Sequence, residues 1–226
     1  MKKLFLSFLL FILIAKNTYS APCYGSKMPE KGQIFFGIQN YTVMKRYLDK
    51  DYGNIDSMQE FILISYGLLD WLTLDLKGGA GRIIHHSPIG AEKRYPTFMA
   101  GGYGLRINLY EKEKIKTVLG LHHISVHPYS IEINNTKYKA VLDNWQVSLL
   151  ASCRFNKITP YIGIKFSRMD YINWIDGQRK LKKSEPDKNL GCVIGMDIPI
   201  NKHLWFNVEC QMIDVTAIAT SLNFHF

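Results

Sequence analysis

Ala217-Ile218-Ala219-Thr220-Ser221-Leu222-Asn223-Phe224-His225-Phe226, the last ten residues of the chain, alternate in character to the end. Successive side chains of an extended strand point to opposite faces. Ile218, Leu222, Phe224 and Phe226 therefore share one face, and Ala219, Ser221, Asn223 and His225 share the other. A greasy face against lipid and a small or polar face against a lumen is the strand pattern of a transmembrane β-barrel.

The pattern recurs upstream. Leu72, Leu74 and Leu76 alternate with Thr73, Asp75 and Lys77; Trp145, Val147 and Leu149 alternate with Asn144, Gln146 and Ser148; Phe206, Val208 and Cys210 alternate with Asn207, Glu209 and Gln211. Period-two stretches separated by turn residues predict ten strands, near 32–44, 57–67, 71–83, 97–110, 115–127, 140–155, 159–172, 188–199, 203–212 and 216–226. The links alternate in length. Residues 67–70, 111–114, 156–158 and 200–203 are tight, whereas 45–56, 84–96, 128–139 and 173–187 are long and polar; the link at 213–215 is short. Barrels of the outer membrane have short periplasmic turns and longer extracellular loops, so the long links are expected outside. The expected fold is an all-β, antiparallel, up-and-down barrel of ten strands.

At the other end, Lys2 and Lys3 precede the apolar run Leu4–Ala15, followed by Lys16 and the small residues Thr18 and Ser20. This order reads as a cleavable secretory signal peptide over 1–20, cut between Ser20 and Ala21; a membrane-spanning helix needs about 20 apolar residues. A lipoprotein signal ending on Cys23 competes, but Ser20 and Pro22 stand where such a signal has a branched aliphatic and a small flexible residue. Residues 21–31 are then a periplasmic N-terminal segment and 32–226 the barrel. Loss of Lys2, Lys3 and Lys16 leaves 25 of the 28 basic residues against 19 acidic ones, a net charge of +6. Part of this excess lies in Arg179-Lys180-Leu181-Lys182-Lys183, a loop suited to anionic lipopolysaccharide. Aromatic residues near strand ends predict two interfacial girdles: Trp71, Tyr110, Phe155, Tyr161 and Phe226 at one end, Tyr41, Tyr138, Trp145, Tyr171 and Trp174 at the other.

With its alternating strands and terminal Phe226, the chain resembles the small outer-membrane β-barrel proteins of Gram-negative bacteria, the OmpA-like, OmpW-like and opacity-type barrels, over roughly residues 30–226. The resemblance implies a bacterial outer-membrane location and a C-terminal face, Ile218, Leu222, Phe224 and Phe226, that the barrel-insertion machinery reads. Outer-membrane lipid and lipopolysaccharide are the expected surroundings, with no nucleic acid; the oligomeric state is open, a monomer being favoured. The resemblance carries no activity, because fold does not specify function.

Alternation turns Asp75, Lys77, Arg106, Arg154, Lys165, Asp197 and Glu209 into the lumen. A selective pore is lined by one dominant sign, whereas mixed signs pair and fill, so these residues read as structural ion pairs, with Asp75–Arg106 foremost and a constriction where Asp75, Arg106, Arg154 and Asp197 converge. His127 and Asp143, beside Ser125, form a candidate rim dyad of the residue types that activate a hydroxyl. No catalytic residue is assigned, and neither cofactor nor metal is expected. Cys192 and Cys210, equidistant from a turn centred at 201, are expected to face one another as free thiols on the lipid side. Three functions remain open: a non-enzymatic barrel acting through its loops, a small diffusion channel for ions or small solutes, and a rim hydrolase acting on lipid A or peptide.

Overall fold

The computed structural model describes residues 22–50, 52–88, 90–183 and 188–225; the signal segment, its cleavage site and Phe226 lie outside the described residues. Twelve strands form: β1 (Ile34–Tyr47), β2 (Asn54–Leu69), β3 (Leu72–His86), β4 (Lys93–Lys112), β5 (Ile115–His127), β6 (Ile131–Ile133), β7 (Thr136–Cys153), β8 (Thr159–Ile175), β9 (Gln178–Lys183), β10 (Leu190–Pro199), β11 (Leu204–Met212) and β12 (Thr216–His225).

Ten of them are staves of a closed antiparallel barrel. Each pairs with its neighbour in the order β1-β2-β3-β4-β5-β7-β8-β10-β11-β12, and β12 pairs back onto β1 from Phe35↔His225 to Lys45↔Thr216. Closure leaves no edge strand in the wall. These ten are the stretches that alternation marks. Several run further at the end carrying the long links, the upper end below: β1 to Tyr47, β3 to His86 and β8 to Ile175.

The two additional strands belong to upper hairpins. β6 folds on the start of β7 through Asn134 and Asn135, and β9 folds on the end of β8 through Asp176 and Gly177. All four turn residues have positive φ, the backbone of a two-residue hairpin that Asn, Asp and Gly accept. Both strands fall in segments read as loops from sequence. At three and six residues, they are too short for a period of two to declare itself.

The wall follows the expected facing. Leu74, Leu76, Ile162, Ile164, Ile194 and Phe224 are exposed on the outside, while Thr73, Asp75, Tyr161, Lys165, Val193 and Asn223 are buried inside. The girdles need correction. Trp71, Tyr110 and Phe155 are exposed at the lower end, but Tyr41, Tyr161 and Tyr171 are buried in the lumen. Tyr161 shares its parity with Lys165, which already placed it inside. The cysteine register shifts by two: Cys192 pairs with Met212 and Cys210 with Ile194, so the hairpin is centred at residue 202. All four cysteines among the described residues are free.

Candidate functional site

The lumen is where the charged residues meet, and it is filled on two levels. In the upper part the inward residues are mostly apolar. Tyr41, Val43, Ile55, Ile83, Tyr95, Ile124, Val126, Leu142, Met169 and Tyr171 pack into one buried cluster, and the Tyr171 hydroxyl donates to that of Tyr95 at 3.2 Å.

One ion cluster interrupts this packing. Asp214 Oδ2 lies 3.0 Å from Arg46 Nη1 and 2.9 Å from Lys165 Nζ, and Ser167 Oγ donates to the same oxygen. Arg46 also reaches Ser167 Oγ at 3.0 Å and its carbonyl at 3.2 Å. Lys165 Nζ donates onward to Gln211 Oε1 at 2.6 Å, and Gln211 Nε2 to Glu209 Oε1 at 2.7 Å.

The lower lumen is polar and contains the N-terminal segment. Residues 22–29, within the 21–31 segment expected in the periplasm, enter the barrel; Cys23 and Ser26 are buried there. Three lumen groups hold them. Arg106 grips Asp75 through two bonds, Nε to Oδ2 at 2.7 Å and Nη2 to Oδ1 at 2.8 Å, and turns Nη1 to the carbonyls of Lys27 at 2.7 Å and Tyr24 at 3.3 Å. Glu209 accepts the Cys23 backbone N–H at 3.0 Å and the Tyr161 hydroxyl at 3.1 Å. Asp197 accepts Ser26 Oγ at 3.3 Å and Asn207 Nδ2 at 2.8 Å.

Side chains of the segment complete the fit. The Tyr24 ring lies between Lys77 Nζ, 4.0 Å from its centroid, and the His122 ring, 4.8 Å away. Lys27 Nζ stands 3.8 Å above Trp205, and burial holds its ammonium below the usual lysine range against the pull of Asp197. Gln146 Nε2 meets the Cys23 sulfur at 2.6 Å; burial and the Glu209 carboxylate push that thiol well up, so it stays protonated. Missing side chains make the room: a Cβ on Gly104 or Gly120 would run into the His122 ring, and one on Gly195 into the Tyr161 ring.

Among the candidates from sequence, Asp75, Lys77, Arg106, Lys165, Asp197 and Glu209 are all buried in the lumen. Arg154 is not. It is exposed at the lower turn, where Nη2 donates to the Glu113 carbonyl at 3.0 Å, because it lies one residue past the end of β7, where alternation no longer sets its facing. The constriction forms without it, with the N-terminal segment in its place. Sequence reasoning missed Arg46, Asp214, His85 and His122, each buried. The buried charge then balances, with Arg46, Lys77, Arg106 and Lys165 against Asp75, Asp197, Glu209 and Asp214 among the described residues.

The rim residues assemble differently from the proposed dyad. Asp143 Oδ1 bonds His123 Nε2 at 2.8 Å, whereas His127 Nε2 bonds Ser125 Oγ at 2.8 Å. All lie on the outward face. Ile218, Leu222 and Phe224 also face outward. No group of three or more potential metal ligands occurs among the described residues.

No protein-family model matches the chain, and no curated protein matches it. Solved structures do. The transport unit of the autotransporter AIDA-I from Escherichia coli is similar with a TM-score of 0.50 at 12% identity, over 97% of this chain and 97% of that one. The translocator domain of the autotransporter NalP from Neisseria meningitidis gives 0.50 at 8% identity, over 89% and 90%. Ail, the attachment invasion locus protein of Yersinia pestis, gives 0.44 at 9% identity, over 87% and 99%. At such identities the likeness is one of fold: the chain is built as a small outer-membrane β-barrel.

Proposed function

We propose that this is a non-enzymatic barrel of the bacterial outer membrane, closed to solutes, whose upper hairpins and links form its working surface. The observation that carries this reading is the lumen, packed above by apolar side chains and below by a hydrogen-bonded, chain-filled network around the Asp75–Arg106 ion pair. Arg106 pairs with Asp75, and Arg46 and Lys165 with Asp214, so the lumen carries bonded groups of both signs rather than the one dominant sign that suits the passage of one kind of ion. The rim offers little to a hydrolase: the Asp143 carboxylate is bonded to His123 and Ser125, and among the described residues no carboxylate is bonded to His127 to orient it toward Ser125.

In this reading the signal segment directs export, the insertion machinery recognises the face ending at Phe226, and the long links stand outside the cell. The basic β8–β9 hairpin then faces lipopolysaccharide. Refolded protein in a planar bilayer is expected to show no steady conductance; stable, large, ion-selective steps would replace this reading with the channel. Protease added to intact cells is expected to cut first within 179–183, and cleavage confined to the tight turns at 113–114 or 154–158 would invert the topology.

A further inference from the structure

One stretch of the outer wall is polar where lipid calls for apolar residues. Going up the outward face of β1 and β2, Ile38 and Ile62 are followed by Asn40 and Glu60, which are directly paired across the two strands, and Thr220 of β12 continues the same row. Glu60 is exposed and stands six positions above Tyr66, about 15 Å up for a strand that rises ~3.3 Å per residue at a tilt of about 40°. The apolar band of such a wall is about 25 Å tall. The Glu60 carboxyl group therefore lies within it.

A carboxyl or amide group at this depth finds no water and is costly unless protein pairs with it. Glu60 is unpaired: its carboxyl group makes no hydrogen bond or ion pair among the described residues. Arg82, one outward position above the Glu60 neighbour Ala80 on β3, turns instead to the Met58 sulfur at 3.7 Å. Asn40 is half satisfied. Its Oδ1 accepts Thr42 Oγ1 at 3.0 Å, while its Nδ2 has no acceptor among the described residues. Donor and acceptor both line a groove of about 510 Å³, bordered by Ile38, Ile62, Gly78, Phe206 and Leu222. A Cβ on Gly78 would meet nothing within 4 Å, so the barrel itself does not require the glycine that opens this groove.

We propose that this face joins two copies of the chain. Both copies insert with the same end outside, so a two-fold axis relating them runs along the membrane normal and brings level positions together. Asn40 and Glu60 are level neighbours, a donor beside an acceptor. With the axis between them, Asn40 Nδ2 of each copy donates to the Glu60 carboxyl group of the other, and Ile38, Ile62 and Leu222 pack around the two bonds. This self-complementarity selects the occupant: an acyl chain fills the groove but offers neither donor nor acceptor, and a monomer, the expectation from sequence, leaves both groups in lipid. The inference rests on the wall facing lipid, and the experiment separates the two.

Copies labelled on surface amines with donor or acceptor dyes are refolded together into phosphatidylcholine vesicles, with increasing amounts of an unlabelled competitor, and energy transfer is measured. Transfer above the level of random proximity is expected. Unlabelled wild type and Glu60→Gln, which keeps an acceptor at the site, should both suppress it. Glu60→Leu and Asn40→Leu each break both symmetry-related bonds and should need about ten times the concentration to do so. A heat-modifiable gel band certifies that every variant is an intact barrel. Transfer no greater than random proximity overturns the proposal, as does either leucine variant competing as well as wild type, or Glu60→Gln competing no better than Glu60→Leu. Each of these results, obtained with folded and inserted protein, leaves the membrane reading in place. Protein that fails to insert into the vesicles removes both.

Discussion

The upper and lower parts of the lumen solve one packing problem by different means. Above, side chains of the staves fill the space themselves, as in a soluble core, with Tyr41, Ile83, Tyr95, Leu142 and Tyr171 all buried. Below, the staves leave a gap bordered by Asp75, Arg106, Asp197 and Glu209, and the chain's own N-terminal segment fills it. A barrel somewhat wider than the eight-stranded kind, whose interior side chains just fill it, needs more material inside. Apolar packing supplies it without direction; the polar half supplies it through bonds that each need a particular partner. The lower half should therefore be the more sensitive to loss of one group, and the more recoverable when a whole pair is replaced.

Arg106→Ala tests this contrast most severely. It strands the Asp75 carboxylate and leaves the Tyr24 and Lys27 carbonyls without their donor. Breaking a buried pair costs about 3–5 kcal/mol, whereas replacing both members with apolar residues is often close to neutral. Urea unfolding in detergent micelles, followed by tryptophan fluorescence, is expected to show that loss for Arg106→Ala and recovery of more than half of it in Arg106→Met/Asp75→Leu. Equal losses in the single and double variants would mean that the pair itself, rather than the stranded charge, holds the lower lumen.

Leu142→Ala is the matching cut in the upper half. It removes buried methyl groups and leaves a cavity among side chains that relax only in part, a loss of about 2–4 kcal/mol. No second substitution should restore it except one that refills the volume. A loss below about 1 kcal/mol would show an upper lumen loosely packed, and the comparison of the two halves would fail there.

Alternation carried most of this architecture. Ten staves, their facing, and six of the seven inward charges follow from a period of two, because a wall with lipid on one side and a packed lumen on the other tolerates no slip. What escaped lies where the period is interrupted. The pairing of β1 shifts register just after Val43, so Arg46 enters the lumen although Gln39, Tyr41 and Val43 predict an odd-numbered neighbour. Asp214 lies just past Met212, in a link whose shortness gave no sign of a buried charge. Arg46 and Asp214 are partners, so missing both hid a whole ion cluster. The N-terminal segment escaped for another reason: Pro22 to Pro29 has no period, and nothing local says that Arg106, Glu209 and Asp197 will bond it.

The smallest of the expected effects concerns that same phase shift. Ile213 has φ 81° in the link that turns Asp214 inward, and it is 70% exposed. A β-branched residue at positive φ is a backbone outlier, and such conformations persist only when their surroundings enforce them, at about 1–3 kcal/mol each. Here the enforcing contacts are the bonds from Arg46, Lys165 and Ser167 to Asp214. Asparagine tolerates the left-handed region better, and an exposed Ile213 gives up little packing. Ile213→Asn is therefore expected to raise the unfolding free energy by about 1 kcal/mol, and by the same amount when Leu142→Ala is also present, since the two residues share no described contact. If Ile213→Asn is instead neutral or destabilising, the turn carries no backbone cost, and the inward aim of Asp214 is the relaxed path of the chain rather than one held by its cluster.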